Sequence, residues 1–205
     1  MLFANYPKPK RMLAITGVFL LTACASPAAK EATTPGFLPA TRWDHRPEAS
    51  AWTEATIRAL KAEGAVLVNT VPEDIGGFCP GYVKAAPDQR RAFWVGLLSA
   101  VAKHESGWNP VAKGGGGKFL GLMQISPKTA ANNGCDAPDA AGLLDGRANL
   151  ACAVRIMARN VAKDGAIASS QSRGWLGLAR DWLPLRNASA RREIAAWTAG
   201  QSYCE

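Results

Sequence analysis

The most regular pattern of apolar and polar residues lies between Asp88 and Gly107. Apolar side chains recur there at intervals of three and four residues, the spacing of one buried stripe on an α-helix: Phe93, Trp94, Leu97, Leu98, Val101 and Ala102. Gly107 and then Pro110 favour an end to the helix directly after Glu105. The pattern therefore predicts a central helix whose last turn carries Glu105.

The remaining pattern is also helical, and the second half of the chain shows no alternation typical of a strand. Helical composition is found at residues 51–63, 127–132, 146–163, 174–182 and 189–199. Residues 65–77 read as an apolar and then turn-rich connection. With no internal repeat and about 130 residues from Pro72 onward, the chain is long enough for one core. We expect a mainly α fold in a single domain.

The N-terminus has the layout of a secretory signal peptide. Basic residues between positions 8 and 11 precede an apolar stretch at 12–21. This stretch is about ten residues long, whereas a transmembrane helix needs about 20. The Leu-Thr-Ala-Cys sequence that ends at Cys24 resembles the bacterial lipobox, which implies removal of residues 1–23 and acylation of Cys24. The alternative is an ordinary signal peptide followed by a chance cysteine.

Residues 24–50 are predicted to form a flexible tether between the membrane and a globular domain at 51–205. They are rich in Ala, Pro and Thr and have no sustained hydrophobic period, so they bury too little surface to offset the loss of chain entropy. Ala25 follows the cysteine, where inner-membrane lipoproteins of proteobacteria carry Asp. The lipobox resemblance therefore implies an outer-membrane lipoprotein that faces the periplasm.

Four cysteines remain after Cys24, and an even number in an exported chain indicates two disulfides. Three pairings are possible. The layout favours Cys135 with Cys152, which would join a loop to the following helix, and Cys79 with Cys204, which would join the two ends of the domain. A zinc site is the competing interpretation, but it requires pairs of Cys or His two to four residues apart, and the sequence has none. We expect no metal.

Glu105 is the candidate catalytic residue. It continues the row Trp94, Leu98 and Val101, so its side chain points towards the core although it lies at the end of the helix. Partial burial disfavours the ionised carboxylate and raises its pKa, which favours a protonated acid near neutral pH. Such an acid can protonate the oxygen of a glycosidic bond. The alternative is a helix-end Glu in a salt bridge with a nearby Lys or Arg.

Three sequence blocks follow one another between residues 100 and 150. Residues 100–110 read Ala-Val-Ala-Lys-His-Glu-Ser-Gly-Trp-Asn-Pro. Residues 121–130 read Gly-Leu-Met-Gln-Ile-Ser-Pro-Lys-Thr-Ala, and residues 144–150 read Leu-Asp-Gly-Arg-Ala-Asn-Leu. In order and spacing they resemble the catalytic segment and the second and third motifs of the lytic transglycosylases of the soluble, lysozyme-like (SLT domain) family. The resemblance covers about residues 80–162 and implies a lysozyme-like helical fold of the goose-type lysozyme and SLT kind.

The resemblance also implies an activity and a set of site residues. Glu105 would protonate the bond between N-acetylmuramic acid and N-acetylglucosamine and then act as base, which gives 1,6-anhydromuramyl ends without a cofactor. Met123 and Gln124 would line the floor of the sugar groove. Ser106 would steady Glu105 or the turn after it, and Asn149 would support the groove from behind. We treat these four as candidate substrate-binding residues, with local packing as the alternative for each.

The sequence departs from the family pattern in two places. Residues 113–119 read Lys-Gly-Gly-Gly-Gly-Lys-Phe where relatives carry a Ser and an Ala-Gly-Ala turn, so this loop either closes over substrate or is merely flexible. The family's Tyr-Asn-Ala-Gly segment has no clear counterpart. Trp175 is the candidate for the place of that Tyr, with Trp182 and Tyr203 as alternatives. Core packing is the more frequent role for each of the three.

Charge narrows the range of partners. The formal net charge is +8, and removal of residues 1–23 takes away three positive charges, which leaves 8 − 3 = +5. This mild excess suits an anionic polymer such as peptidoglycan, but no dense Lys/Arg stripe typical of a nucleic-acid binder is present. The expected partners are glycan strands, the membrane through the lipid anchor, and possible proteins of an envelope complex.

Other functions compete with the transglycosylase hypothesis. A hydrolytic muramidase would use the same acid but would usually need a second carboxylate to activate water. A non-catalytic peptidoglycan-binding lipoprotein would also account for the glycine run and the missing Tyr. The sequence lacks the H-E-x-x-H motif of a metalloprotease and the G-x-S-x-G motif of a serine hydrolase.

Overall fold

The computed structural model describes residue 1, residues 38–171 and residues 174–205. The expected signal peptide, Cys24 and residues 24–37 of the expected tether lie outside the described residues. In chain order the helices are α1 (Ala49–Lys61), α2 (Ala65–Asn69), α3 (Pro87–Ser106), α4 (Pro127–Asn132), α5 (Ala140–Leu143), α6 (Gly146–Asp164) and α7 (Ala188–Ala199). The strands are β1 (Lys113–Gly114), β2 (Phe119–Leu120), β3 (Ser170–Gln171) and β4 (Gly174–Trp175).

Helix α3 is the centre of the fold. Pro87 begins it, because a proline at the first helical position lacks only an N–H that would have had no partner inside the helix. All residues at 93–102 are buried, since α1, α2 and α7 pack around the helix. It ends at Gly107, whose φ of 59° is left-handed and costs little without a Cβ. The predicted helix end directly after Glu105 is confirmed to within one residue.

Helices α1 and α6 pack closely against each other. The side chain of Asp145 starts α6 by accepting hydrogen bonds from the N–H groups of Arg147 and Ala148. A Cβ on Gly146 would lie 2.4 Å from the indole nitrogen of Trp52, so only glycine permits this approach of the two helices. The helices predicted at 51–63 and 146–163 are present with ends shifted by two residues or fewer.

The prediction of a flexible tether is wrong for residues 38–50. Trp43 is fully buried, and its indole N–H donates to the hydroxyl of Thr53 at 2.9 Å. The backbone N–H of Arg42 donates to the hydroxyl of Ser99 on α3 at 2.9 Å. The average composition of residues 24–50 hid the one large apolar side chain that anchors this segment.

The helical interpretation of residues 174–182 is also wrong. Residues 174–175 form β4, which pairs antiparallel with β3, and a short 3₁₀-helix follows at Gly177–Arg180. Gly174 and Gly177 have φ values of 109° and 59°, which an α-helix does not admit.

In the apolar connection at 65–77, the first five residues form α2 and Ile75–Gly77 form a 3₁₀ turn.

Both expected disulfides are confirmed. The Cα atoms of Cys79 and Cys204 are 4.8 Å apart, and those of Cys135 and Cys152 are 5.2 Å apart. The first bond joins the segment before α3 to the last residues of the chain, and the second joins the turn after α4 to α6. The predicted mainly helical domain with two disulfides is therefore present.

Within residues 38–171 and 174–205, no helix combines the length and the apolar character needed to cross a bilayer.

Candidate active site

Glu105 lies in the last turn of α3 with its side chain half-buried. Within the described part of the chain, no hydrogen bond or ion pair is formed by its carboxyl group. Burial raises its pKa to about 7, because the ionised form would lose hydration without gaining a partner. The carboxyl group is therefore substantially protonated near neutral pH and can act as an acid.

The basic residues next to Glu105 bind a different carboxylate. Lys103 and His104 both contact Glu193 on α7, each at 2.5 Å. The alternative interpretation of Glu105 was a salt bridge with a nearby Lys or Arg at the helix end. In the structure the adjacent Lys103 is paired with Glu193 instead.

Ser106 connects the end of α3 to the loop that follows β2. Its hydroxyl donates to the carbonyl oxygen of Leu122 at 2.9 Å and lies 3.3 Å from that of Ala102. This is the expected role of steadying the turn after Glu105. The hydroxyl is engaged by backbone oxygens, so the structure gives it no substrate-binding role.

Gln124 holds two parts of the backbone together from an unusual conformation. Its φ is 47°, and its side-chain amide donates to the carbonyl oxygens of Gly121 at 2.9 Å and Ala112 at 3.3 Å. A Cβ on Gly114 would lie 2.2 Å from the Gln124 side-chain oxygen, so the β1–β2 hairpin packs directly on this side chain. Gln124 is partly buried, and its described contacts are to backbone.

Asn149 organises the same loop from the protein interior. Its Oδ1 accepts the N–H of Met123 at 2.9 Å, and its Nδ2 donates to the carbonyl oxygens of Leu120 and Leu143. The side chain is fully buried. Asn149 therefore supports the loop from behind, as expected, and no face of its side chain is open to a sugar.

Met123 is likewise a buried anchor. Its side chain is completely inaccessible, and its carbonyl oxygen accepts the indole N–H of Trp182 at 3.0 Å. The motif places Met123 beside the site, but the side chain points into the core. The burial of the side chain disfavours a sugar contact at Met123, whose role in substrate binding stays a prediction.

None of the three aromatic candidates for the missing Tyr forms a described contact with Glu105. Trp182 and Tyr203 are buried, and the hydroxyl of Tyr203 donates to the carbonyl oxygen of Ala40 at 3.3 Å, which agrees with a packing role. Trp175 is half-buried, and the Arg191 guanidinium lies 5.3 Å from the centre of its ring.

Trp108 and His45 are two neighbours of the site that the sequence did not reveal. Gly107 and Trp108 both have a φ of 59°, which turns the chain sharply after Glu105. The Trp108 indole N–H donates to the carbonyl oxygen of Ser99 at 2.9 Å, and the His45 ring packs edge-on against it at 4.7 Å. Only the Gly107 helix stop was visible in the sequence, because the other contacts join distant segments.

The glycine run forms the tip of the β1–β2 hairpin. Gly115, Gly116 and Gly117 have φ values of 54°, 69° and 88°, so three consecutive residues adopt the left-handed region that favours glycine. The side chain of Phe119 is exposed and its ring lies over Gly115, where a Cβ would be 2.8 Å away. The run therefore has a defined turn conformation in the structure.

The acidic residues that follow Glu105 in the sequence have structural roles. Asp139 caps α5 through the N–H of Gly142 at 2.8 Å, and Asp136 lies 3.5 Å from Arg155. The N–H of Ala148, the largest contribution, and Arg147 lower the pKa of Asp145 at the start of α6. Among the residues that the structure describes, no three His, Cys, Asp or Glu side chains are grouped as metal ligands.

Comparisons with known proteins agree with this fold. Residues 83–180 match the family model described as the transglycosylase SLT domain. The structure of Bd0314 DslA, wild-type form 2, is 29% identical with a TM-score of 0.76 and covers 82% of this chain and 100% of its own. Two structures of DslA with one Glu replaced by Gln, 29% and 28% identical, have TM-scores of 0.75 and the same coverage. No curated protein sequence matches the chain significantly. The described chain thus has a mainly helical, lysozyme-like fold, within which residues 83–180 match the SLT domain.

Proposed function

We propose that this protein is a peptidoglycan lytic transglycosylase in which Glu105 acts first as acid and then as base. The observation that carries the proposal is the half-buried Glu105 carboxyl group, which has no partner among the described residues and a pKa raised to about 7. The match of residues 83–180 to the transglycosylase SLT domain supports the same class of activity.

The proposed reaction needs only this carboxyl group and the substrate. Protonated Glu105 donates its proton to the oxygen between muramyl C1 and the next N-acetylglucosamine, the C1–O bond breaks, and the sugar leaves with a 4-hydroxyl group. The Glu105 carboxylate then removes the proton of the muramyl C6 hydroxyl, whose oxygen bonds to C1. The product is a 1,6-anhydromuramyl end, and Glu105 is protonated again.

The surroundings of Glu105 suit this single-acid chemistry. Asp139 and Asp145 cap helices, so neither is free to serve as a second carboxylate. The hydrogen bond from Ser106 and the bonds of Asn149 fix the loop beside the helix end. Fixed surroundings favour catalysis because the acid does not have to be reoriented for each reaction.

The test is digestion of purified sacculi followed by mass spectrometry of the released muropeptides. The parent protein is expected to release products with anhydromuramyl ends. Glu105→Gln keeps the size of the side chain but cannot donate the proton, so we expect the rate to fall by at least about 100-fold. Glu54→Gln on the exposed face of α1 is the matched control and should keep the parental rate.

Other products would contradict the proposal in recognisable ways. Reducing muramic acid ends would show hydrolysis by water. Binding of sacculi without release of fragments, or equal release by Glu105→Gln and the parent, would instead indicate a non-catalytic binding protein or a different catalytic residue.

We also propose that the protein is acylated at Cys24 and attached to the outer membrane, facing the periplasm. The support is the short apolar stretch before Cys24 and the Ala25 that follows it. Cys24→Ala should remove the acyl mass and release the protein from the membrane fraction, whereas Ala25→Asp should keep the acyl group and move the protein to the inner membrane. An unacylated parent protein would refute the proposal.

A further inference from the structure

A cluster of charged side chains joins three parts of the fold beside Glu105. Glu193 on α7 is its centre. The Oε1 atom of Glu193 lies 2.7 Å from Nη1 of Arg42 and 2.5 Å from Nζ of Lys103, while its Oε2 atom lies 2.5 Å from Nε2 of His104. One carboxylate thus contacts the N-terminal segment and two successive residues of α3.

The central carboxylate of the cluster, Glu193, is ionised near neutral pH. The hydrogen bond from Lys103, the largest contribution, and the contacts with Arg42 and His104 lower the pKa of Glu193 to about 2. Glu193 is therefore a permanent negative charge opposite the last turn of α3.

The position of Lys103 makes this charge relevant to the site. Lys103 and His104 are the two residues before Glu105, and a lysine ammonium free to approach a carboxyl group would stabilise the ionised carboxylate. In the structure the ammonium is bound to Glu193. The raised pKa of Glu105 has burial as its cause and no contribution from a neighbouring cation.

Further charged groups lie on the elements packed against α3. The titratable or charged groups of these elements are Glu54, Arg58 and Lys61 on α1, Arg191 and Arg192 on α7, Arg186 beside the 3₁₀ turn at Leu183–Leu185, and Tyr203 near the C-terminus. Helix α2 has none. The raised pKa of Glu105 has burial as its cause, and none of these groups is among its causes. The cations next to Glu105 in the sequence are Lys103 and His104, and both are bound to Glu193.

We propose that Glu193 is a positioning residue of the site, which holds the Lys103 ammonium towards α7 and so keeps Glu105 in its protonated form. The link to activity rests on the proposed catalytic role of Glu105. The effect on the protonation of Glu105 does not depend on that role and can be measured separately.

The first test measures the pKa of Glu105 by ¹³C NMR titration of the side-chain carboxyl group, with the signal assigned by its loss in Glu105→Gln. In Glu193→Gln we expect this pKa to fall by about half a unit, the effect of one unit charge about 10 Å away at an effective dielectric constant of about 40. At pH 7 the protonated fraction would then fall about twofold. An unchanged pKa would overturn the proposal.

Two further variants separate charge from packing. Glu63→Gln also removes a carboxylate bound to an arginine, Arg155 at 2.7 Å, but lies outside α3 and α7, and it should leave the pKa of Glu105 unchanged. The double variant Glu193→Gln with Lys103→Gln removes both charges and should restore the parental pKa. If the double variant keeps the lowered pKa, the effect comes from altered packing and the proposal is wrong.

The pH dependence of kcat/KM distinguishes this inference from the proposed function. If both hold, the alkaline limb in Glu193→Gln moves to lower pH by the same amount as the pKa of Glu105 and returns in the double variant. A limb that stays in place while the NMR pKa moves would contradict catalysis by Glu105 but support the role of Glu193. An unmoved NMR pKa would refute the role of Glu193 whatever the activity.

Discussion

Ionisation of Glu105 lowers the stability of the fold. The pKa of Glu105 is about 7 in the folded protein, against an ordinary value of 4.5 that applies to the unfolded chain. Below pH 4.5 both states hold the proton. As the pH rises towards 7, the unfolded state ionises first, so the free energy of unfolding falls by about 1.4 kcal/mol per pH unit. Above pH 7 the folded state is ionised too and the loss levels off.

The variant Glu105→Gln should therefore be more stable than the parent at high pH. We expect a gain of about 2 to 3 kcal/mol in the free energy of unfolding at pH 8 and little difference at pH 4, because Gln is uncharged at both. Urea unfolding at pH 4, 6 and 8 measures this, with Glu54→Gln as the control. A gain of the same size at every pH would mean that ionisation is not its cause.

The sequence predicted the half-buried position of Glu105 at the helix end better than the orientation of the residues around it. The three motifs identify residues that occur together, but they do not show which side chains face the groove. Met123 and Asn149 belong to the second and third motifs because they hold the loop from the interior, and Ser106 holds it from the helix end. Their orientation depends on how distant backbone segments meet, which the local pattern does not contain.

At the scale of elements, the loop at 121–125 contributes to the packing around the site as the helices do. The N–H groups of Leu120 and Ile125 each donate to the other's carbonyl oxygen at 3.0 Å, and Gly121 enters the loop with a φ of 77°. A Cβ on Gly121 would lie 2.1 Å from the Leu143 carbonyl oxygen and 2.4 Å from Nδ2 of Asn149. The close packing of the loop therefore requires glycine at this position.

A pair of glycine substitutions tests this requirement. Gly121→Ala should lower the free energy of unfolding by about 3 kcal/mol or more, because a left-handed φ and a backbone clash combine. Gly116→Ala has a similar φ of 69° but open space around the new Cβ, and should cost about 1 kcal/mol. Equal losses in urea unfolding would contradict the close packing around Gly121.

Helices with a clear period or a clear cap were predicted with nearly correct ends. The antiparallel pairing of β3 with β4 was not predicted. The turn after β4 depends on Asp164 at the end of α6, which accepts the N–H of Gly177 at 2.8 Å and binds the Arg180 guanidinium. This contact joins residues 13 positions apart, so a search for apolar residues spaced by three or four positions cannot predict it.

At the scale of the whole molecule, residues far apart in sequence close the domain. The Cys79–Cys204 bond spans 125 positions, and the N–H of Gly81 donates to the carbonyl oxygen of Cys204 at 2.8 Å beside it. The even cysteine count and the layout were enough to predict this closure. The docking of Trp43 was not predicted, because a single buried residue produces no pattern.

The hydrogen bond between Tyr203 and Ala40 places the beginning and the end of the described domain side by side. Residues 38–205 therefore trace a path that almost returns to its start. The two ends of this segment are neighbours in space, so a short peptide could link residue 205 to residue 38. With this link, new chain ends could be placed in an exposed turn away from α3. Such a circular permutant would keep the same elements around Glu105.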